Sequence, residues 1–116
     1  MHDLIVQGAE LFNSRRYFEA HEAFEDLWRQ SDGDLRLFHQ GIVQCCAGLV
    51  KHQRGQLAPA CTLLRKGLDK LVAAPPGLQP GVDLAALIAE LTRVLAAAQT
   101  GSAFEPPVMT VLDGHI

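Results

Sequence analysis

Aromatic residues make up only 6% of this 116-residue sequence and cysteines number three. Each shortage excludes a class of protein. The apolar run from Cys45 to Val50 falls far short of the roughly 20 residues that a bilayer-spanning helix needs. The N-terminus lacks a basic-then-apolar leader, so the expectation is a soluble chain with no membrane role. Cys45, Cys46 and Cys61 are odd in number, two are adjacent, and no C-x-x-C occurs. That argues against a disulfide scaffold or a thiolate zinc site and fits a reducing cytoplasm. Cys45 and Cys46 also lie in an apolar stretch, where a thiol resists ionisation and packs as core. Gly-rich phosphate loops are absent, and Ser14, Ser31 and Ser102 have no G-x-S-x-G context that would make one a nucleophile. Lys51, Arg54, Arg65, Lys66 and Lys70 have no aromatic residue between them for bases to stack on, so nucleic acid is not an expected partner.

What is abundant is leucine and alanine, at 17 and 15, against 16 for valine, isoleucine and threonine combined. The apolar content therefore favours helices over strands, and an all-α fold is expected. Residues 1–116 read as one helical domain, long enough to bury roughly two-thirds of its unfolded surface and to fold without a cofactor. The first helix is expected from Asp3, as N-cap, to Asn13, which can end a helix in the left-handed conformation. A second runs from Tyr17 to Gln30, closed by Ser31-Asp32-Gly33-Asp34, which offers a cap to the next. The third spans Leu35 to Arg54 with Gly55 as the stop, and the fourth Leu57 to Ala73, with Leu57, Cys61, Leu64, Leu68 and Leu71 on one stripe. Prolines 75, 76 and 80 make residues 74–82 a loop. A fifth helix, residues 83–100, is expected to start at Asp83 as N-cap and to pack back on the others. Residues 101–116 form a tail whose sequence leaves open whether it lies extended along the body or reaches a partner chain.

The formal charge of −3 conceals an uneven distribution: residues 1–34 hold eight acids and three bases, residues 35–70 one acid and six bases, and residues 71–116 four acids and one base. The simplest reading sets the acidic second helix against the basic third and fourth, within one bundle or across a homodimer.

On the second helix, at 100° per residue, Leu27, Ala20, Phe24, Tyr17, Trp28 and His21 fall in one arc of roughly 120°. His21 sits at its margin beside Glu25. A histidine and a carboxylate one turn apart at a core boundary form a structural pair, share a proton or hold a cation. The third helix is apolar nearly all round, so its polar residues stand out. Gln40, Gln44 and Lys51 make a narrow strip, His39 shares a face with Ile42, Val43, Cys46 and Val50, and His52 lies on the side of Gly41, Cys45 and Gly48, where another helix could come close. If these groups converge, His21, Glu22, Glu25, His39 or His52 could supply ligands for a divalent metal, with His21, Glu25 and His52 the leading set. The H-E-x-x-E spacing is nevertheless neither H-E-x-x-H nor paired E-x-x-H.

The stretch Phe12-Asn13, Tyr17-Phe18-Glu19-Ala20-His21-Glu22, Glu25 and Trp28, followed by Gln40-Gly41-Ile42-Val43-Gln44 and His52-Gln53-Arg54-Gly55, resembles the family grouped as domain of unknown function 309 over about residues 8–72. The resemblance implies a helical bundle with a tetratricopeptide-like hairpin and no established activity. It also adds weight to Glu19, His21, Glu22, Glu25, Trp28, Gln40, Gln44 and His52 as a polar site. The chain departs from the family pattern at Gly55-Gln56-Leu57-Ala58-Pro59-Ala60 and where Arg15-Arg16 replace a glycine-containing turn. Two functions are then open. One is a binding module whose polar groove takes a peptide or small ligand. The other is a hydrolase-like or metal-dependent enzyme with Glu22 or Glu25 as base and His21 and His52 as ligands or acid partner.

Overall fold

The computed structural model describes residues 2–78 and 80–112, with side chains from residue 4 onward. It contains five helices: α1 (His2–Asn13), α2 (Tyr17–Gln30), α3 (Gly33–Gln53), α4 (Leu57–Val72) and α5 (Leu84–Thr100). Connections of two or three residues link the first four, and links so short fold each helix back antiparallel to its predecessor. α3 is the central element, with α2 on one flank and α4 on the other, while α1 packs on α2 and α5 on α4. The all-α expectation is met, with helix ends moved by at most two residues.

Tyr17, Ala20, Phe24 and Leu27 are buried on α2 as their spacing requires, and Leu87, Leu91, Val94, Leu95 and Ala98 are buried on α5. Asp83 caps α5 by accepting from the backbone N–H of Ala86 at 3.0 Å. Other ends differ from expectation. α1 begins at His2, so Asp3 lies inside the helix rather than capping it, and its side chain is outside the described residues, as are tail positions 113–116. Asn13 stays helical, and the left-handed turn falls instead on Arg15, at φ 64°. There the N–H of Arg16 reaches back to the Leu11 carbonyl at 2.9 Å, and Gln53 Nε2 donates to the Arg15 carbonyl at 3.0 Å. No side chain caps α3: Ser31 turns inward, donating to the Leu27 carbonyl at 2.8 Å.

The α3–α4 seam is close. A Cβ added to Gly67 would stand 2.5 Å from both the Cys45 sulfur and the Gly41 carbonyl oxygen, and one added to Gly48 would stand 3.0 Å from the Ala60 carbonyl oxygen. Only glycine permits backbones to approach this far. Burial in the same region pushes the Cys45 thiol up to about 12 and raises that of Cys46, keeping both protonated.

The tail lies along the body through Leu112. Asn13 grips Met109 twice, its Nδ2 donating to the Met109 carbonyl at 2.9 Å and its Oδ1 accepting from the Met109 N–H at 2.8 Å. Glu90 accepts from the Val108 N–H, Arg93 donates to the Glu105 carbonyl, and Val82 and Val111 form an antiparallel bridge. Met109 is thereby buried.

Candidate functional site

Because α2 and α3 are joined by only Ser31 and Asp32, residues at similar distances from that turn come close to each other. Trp28, three positions before it, meets Arg36, four positions after it, whose guanidinium carbon sits 4.2 Å from the indole ring centre. One turn further along, Glu25 and Trp28 of α2 and Gln40, Val43 and Gln44 of α3 surround an open hollow of about 140 Å³. Four of these five residues belong to the polar set singled out in the sequence. The hollow is the size of one amino-acid side chain, below the several hundred Å³ of a drug-sized site.

Its polar atoms are oriented. Lys70 of α4 donates from Nζ to Gln44 Oε1 at 2.8 Å. Glu25 Oε1 lies 3.3 Å from Arg29 Nη2, and Arg29 also holds Asp26 at 3.0 Å. All four ion pairs among the described residues join side chains three or four positions apart. The expected charge matching between α2 and the basic helices is thus not made through ion pairs. Arg36 stacks on Trp28 instead, and Lys70 bonds an uncharged amide.

The remaining members of the set lie elsewhere. Glu19, at the start of α2, pairs with Arg16 at 2.9 Å, and that guanidinium draws its carboxyl below the ordinary range. Glu22 is exposed. His21 is half-buried one turn before Glu25, stacked on Phe18 with ring centres 6.0 Å apart, and its buried Nδ1 has no partner among the described residues. His52 packs against Phe104 of the tail at 4.7 Å. Among the described residues no three histidine, cysteine, aspartate or glutamate side chains are grouped to hold a metal ion, so His21, Glu25 and His52 are not assembled as a ligand set. The physical reason is their placement: His52 follows the side of α3 that turns toward α4 and the tail, away from the α2 face of His21.

His39 is sealed in the interior, 1% exposed, with Nδ1 3.0 Å from Ser31 Oγ. Ser31 Oγ is also within reach of the Leu27 carbonyl, at 2.8 Å, and His39 Nε2 has no partner among the described residues. Burial lowers its pKa to about 4. It serves the hairpin end rather than an accessible site.

Arg36, Val43 and Lys70 were missed as site residues. The nearness of both Trp28 and Arg36 to the two-residue turn could have suggested that they meet. Lys70 is 26 positions from Gln44 and carried no local signal.

Comparison with known proteins follows the same helices. A crystal structure of the conserved hypothetical protein TTHA0068 from Thermus thermophilus superposes with a TM-score of 0.67 at 31% identity, covering 78% of this chain and 94% of that one. The uncharacterized protein YpuF of Bacillus subtilis (strain 168) is 26% identical over 106 residues, which is 90% of this chain and 61% of YpuF, so the chain spans about three-fifths of that relative's length. The sequence model of the family described as Domain of unknown function (DUF309) matches residues 5–63, which contain every lining residue of the hollow but not Lys70. The chain belongs to the domain of unknown function 309 family.

Proposed function

We propose that this protein is a binding module, a single helical unit of a reducing cytoplasm, whose α2–α3 hollow receives a side-chain-sized part of a peptide or small ligand. The observation that carries this reading is the convergence of Glu25, Trp28, Gln40, Val43 and Gln44 around about 140 Å³ of open space. A few directed polar groups beside an indole and an aliphatic wall are how recognition pockets combine orientation with apolar contact. Trp28, the single tryptophan, reports occupancy directly. A fragment screen observed by ligand NMR should give binders that change Trp28 fluorescence. Gln40→Phe, which fills the hollow from the helix surface without entering the core, should abolish them. Binders unaffected by that substitution, or none that perturb Trp28, would overturn the reading.

A further inference from the structure

The donor and acceptor directions in the hollow define its ligand more narrowly. Lysine carries only hydrogens to donate, so the Gln44 atom facing Nζ at 2.8 Å has to be the carbonyl oxygen. The amide nitrogen, with two hydrogens, is then the Gln44 group that Lys70 leaves free, on a residue that lines the hollow. The neighbouring ammonium draws electron density through the amide and strengthens those N–H donors. Across the hollow Glu25 only accepts, and its second oxygen has no partner among the described residues. One wall therefore donates and the other accepts. An anion would suit the Gln44 amide hydrogens but meet the second oxygen of Glu25, whereas a cation would suit that oxygen but meet the amide hydrogens, with Arg29 on Glu25, Arg36 on Trp28 and Lys70 behind Gln44. A neutral group bearing both an acceptor and a donor satisfies both walls.

Resting on the pocket reading above, we propose that the group gripped is a peptide unit of an extended chain, its carbonyl accepting from Gln44 Nε2, its N–H donated to Glu25, and a neighbouring apolar side chain seated between Trp28 and Val43. Two features favour a chain over a compact amide. A second hollow, of about 70 Å³, is lined by Asp34, Leu37, Lys70, Ala73, Ala74 and Pro75, and its Lys70 is the residue that bonds Gln44 of the first. Two hollows linked through the Lys70–Gln44 bond suit a ligand long enough to reach both. The molecule also holds an extended segment of its own in this manner, Asn13 satisfying both backbone groups of Met109 and Glu90 taking the N–H of Val108.

The test is a two-dimensional NMR titration of the full chain with four probes: N-acetyl-Ala-Leu-Ala methylamide, the same tripeptide with the leucine N–H replaced by an ester oxygen, sodium acetate and ethylammonium chloride. The capped tripeptide should shift the Trp28 indole and the Gln40 and Gln44 side-chain amide signals saturably. The ester should bind at least about 5-fold more weakly, as expected for loss of a hydrogen bond to a charged acceptor. That difference should disappear in Glu25→Ala, and Gln44→Leu should weaken the tripeptide by a similar factor while leaving the other backbone signals in place. Lys70→Met, which frees the Gln44 amide to turn over, should weaken it as well. Ester and amide binding equally, or acetate or ethylammonium outcompeting the tripeptide, would overturn the peptide-unit inference and leave the pocket reading standing. If no probe moves Trp28, both fall.

Discussion

α3 presents two flanks built on opposite rules. Toward α4 it shows Gly41, Cys45 and Gly48, and the facing Gly67 allows backbones to meet with no space left for a methyl group. Toward α2 it shows Gln40, Val43 and Gln44, which together with Glu25 and Trp28 of α2 line an open hollow. The closed flank is where the chain gains packing, since a seam this tight maximises contact and excludes water. The open flank gives up that contact and retains polar groups with unused hydrogen-bonding capacity. A single helix thus carries both the interior of the fold and its candidate site, and the size of the residues on each side decides which is which.

The closed seam should break most sharply at Gly67. Gly67→Ala places a methyl 2.5 Å from sulfur and backbone oxygen, neither able to yield as a flexible side-chain end would. Overpacking should outweigh the helix-propensity gain and cost about 2–3 kcal/mol, read as a lower urea midpoint at constant m-value. An unchanged midpoint would show that the seam has slack. At the buried end of the α2–α3 hairpin, His39 makes stability depend on pH. Its folded-state pKa of about 4 lies below the ordinary histidine value of 6.5, so between those values the unfolded chain binds a proton that the folded chain refuses. Stability should fall as the pH drops through that window, by up to about 3 kcal/mol at its lower end, and should be flat above it. Urea titrations at pH 7 and 4.5 should show the loss in the native chain and a smaller one in His39→Gln. Equal losses would remove His39 as the cause.

Smaller effects are expected where the hairpin opens. Arg36→Ala removes the cation from Trp28 and should cost about 0.5–1 kcal/mol while shifting tryptophan emission. Emission identical to that of the native protein would mean the stacking is not kept in solution. Gln40→Ala should change stability by no more than about 0.5 kcal/mol, because its amide makes no hydrogen bond among the described residues. A larger loss would make the open flank structural after all.

Helix positions were legible because apolar spacing and turn residues agree locally: Tyr17 to Gln30 emerges with both ends as expected, and Asp83 caps α5 as its position suggests. The turn after α1 was not, because Asn13 has a use that no local pattern reveals, the clamp on Met109. In the same way the polar strip of Gln40 and Gln44 was visible from helical periodicity, and Glu25 and Trp28 from theirs. That His21 and His52 do not join them depends on which flank of α3 each neighbour takes. His52 follows Gly41, Cys45 and Gly48 around to the α4 side, and its ring meets Phe104, a residue 52 positions later. Spacing places residues on a face, but the partner of that face is set by tertiary packing.

The grip of Asn13 on Met109 joins residues 96 positions apart, whereas α1 to α4 are assembled by pairing each helix with the next. Closing a loop of that length forgoes about 4 kcal/mol of chain entropy, a cost that neighbouring hairpins largely escape. During synthesis, which proceeds from the N-terminus, the end of α1 is in place well before the segment it holds has been made. The helices line the candidate site, and the segment around Met109, made after them, fastens the end of α1 to a stretch that is also bonded to Glu90 and Arg93 of α5.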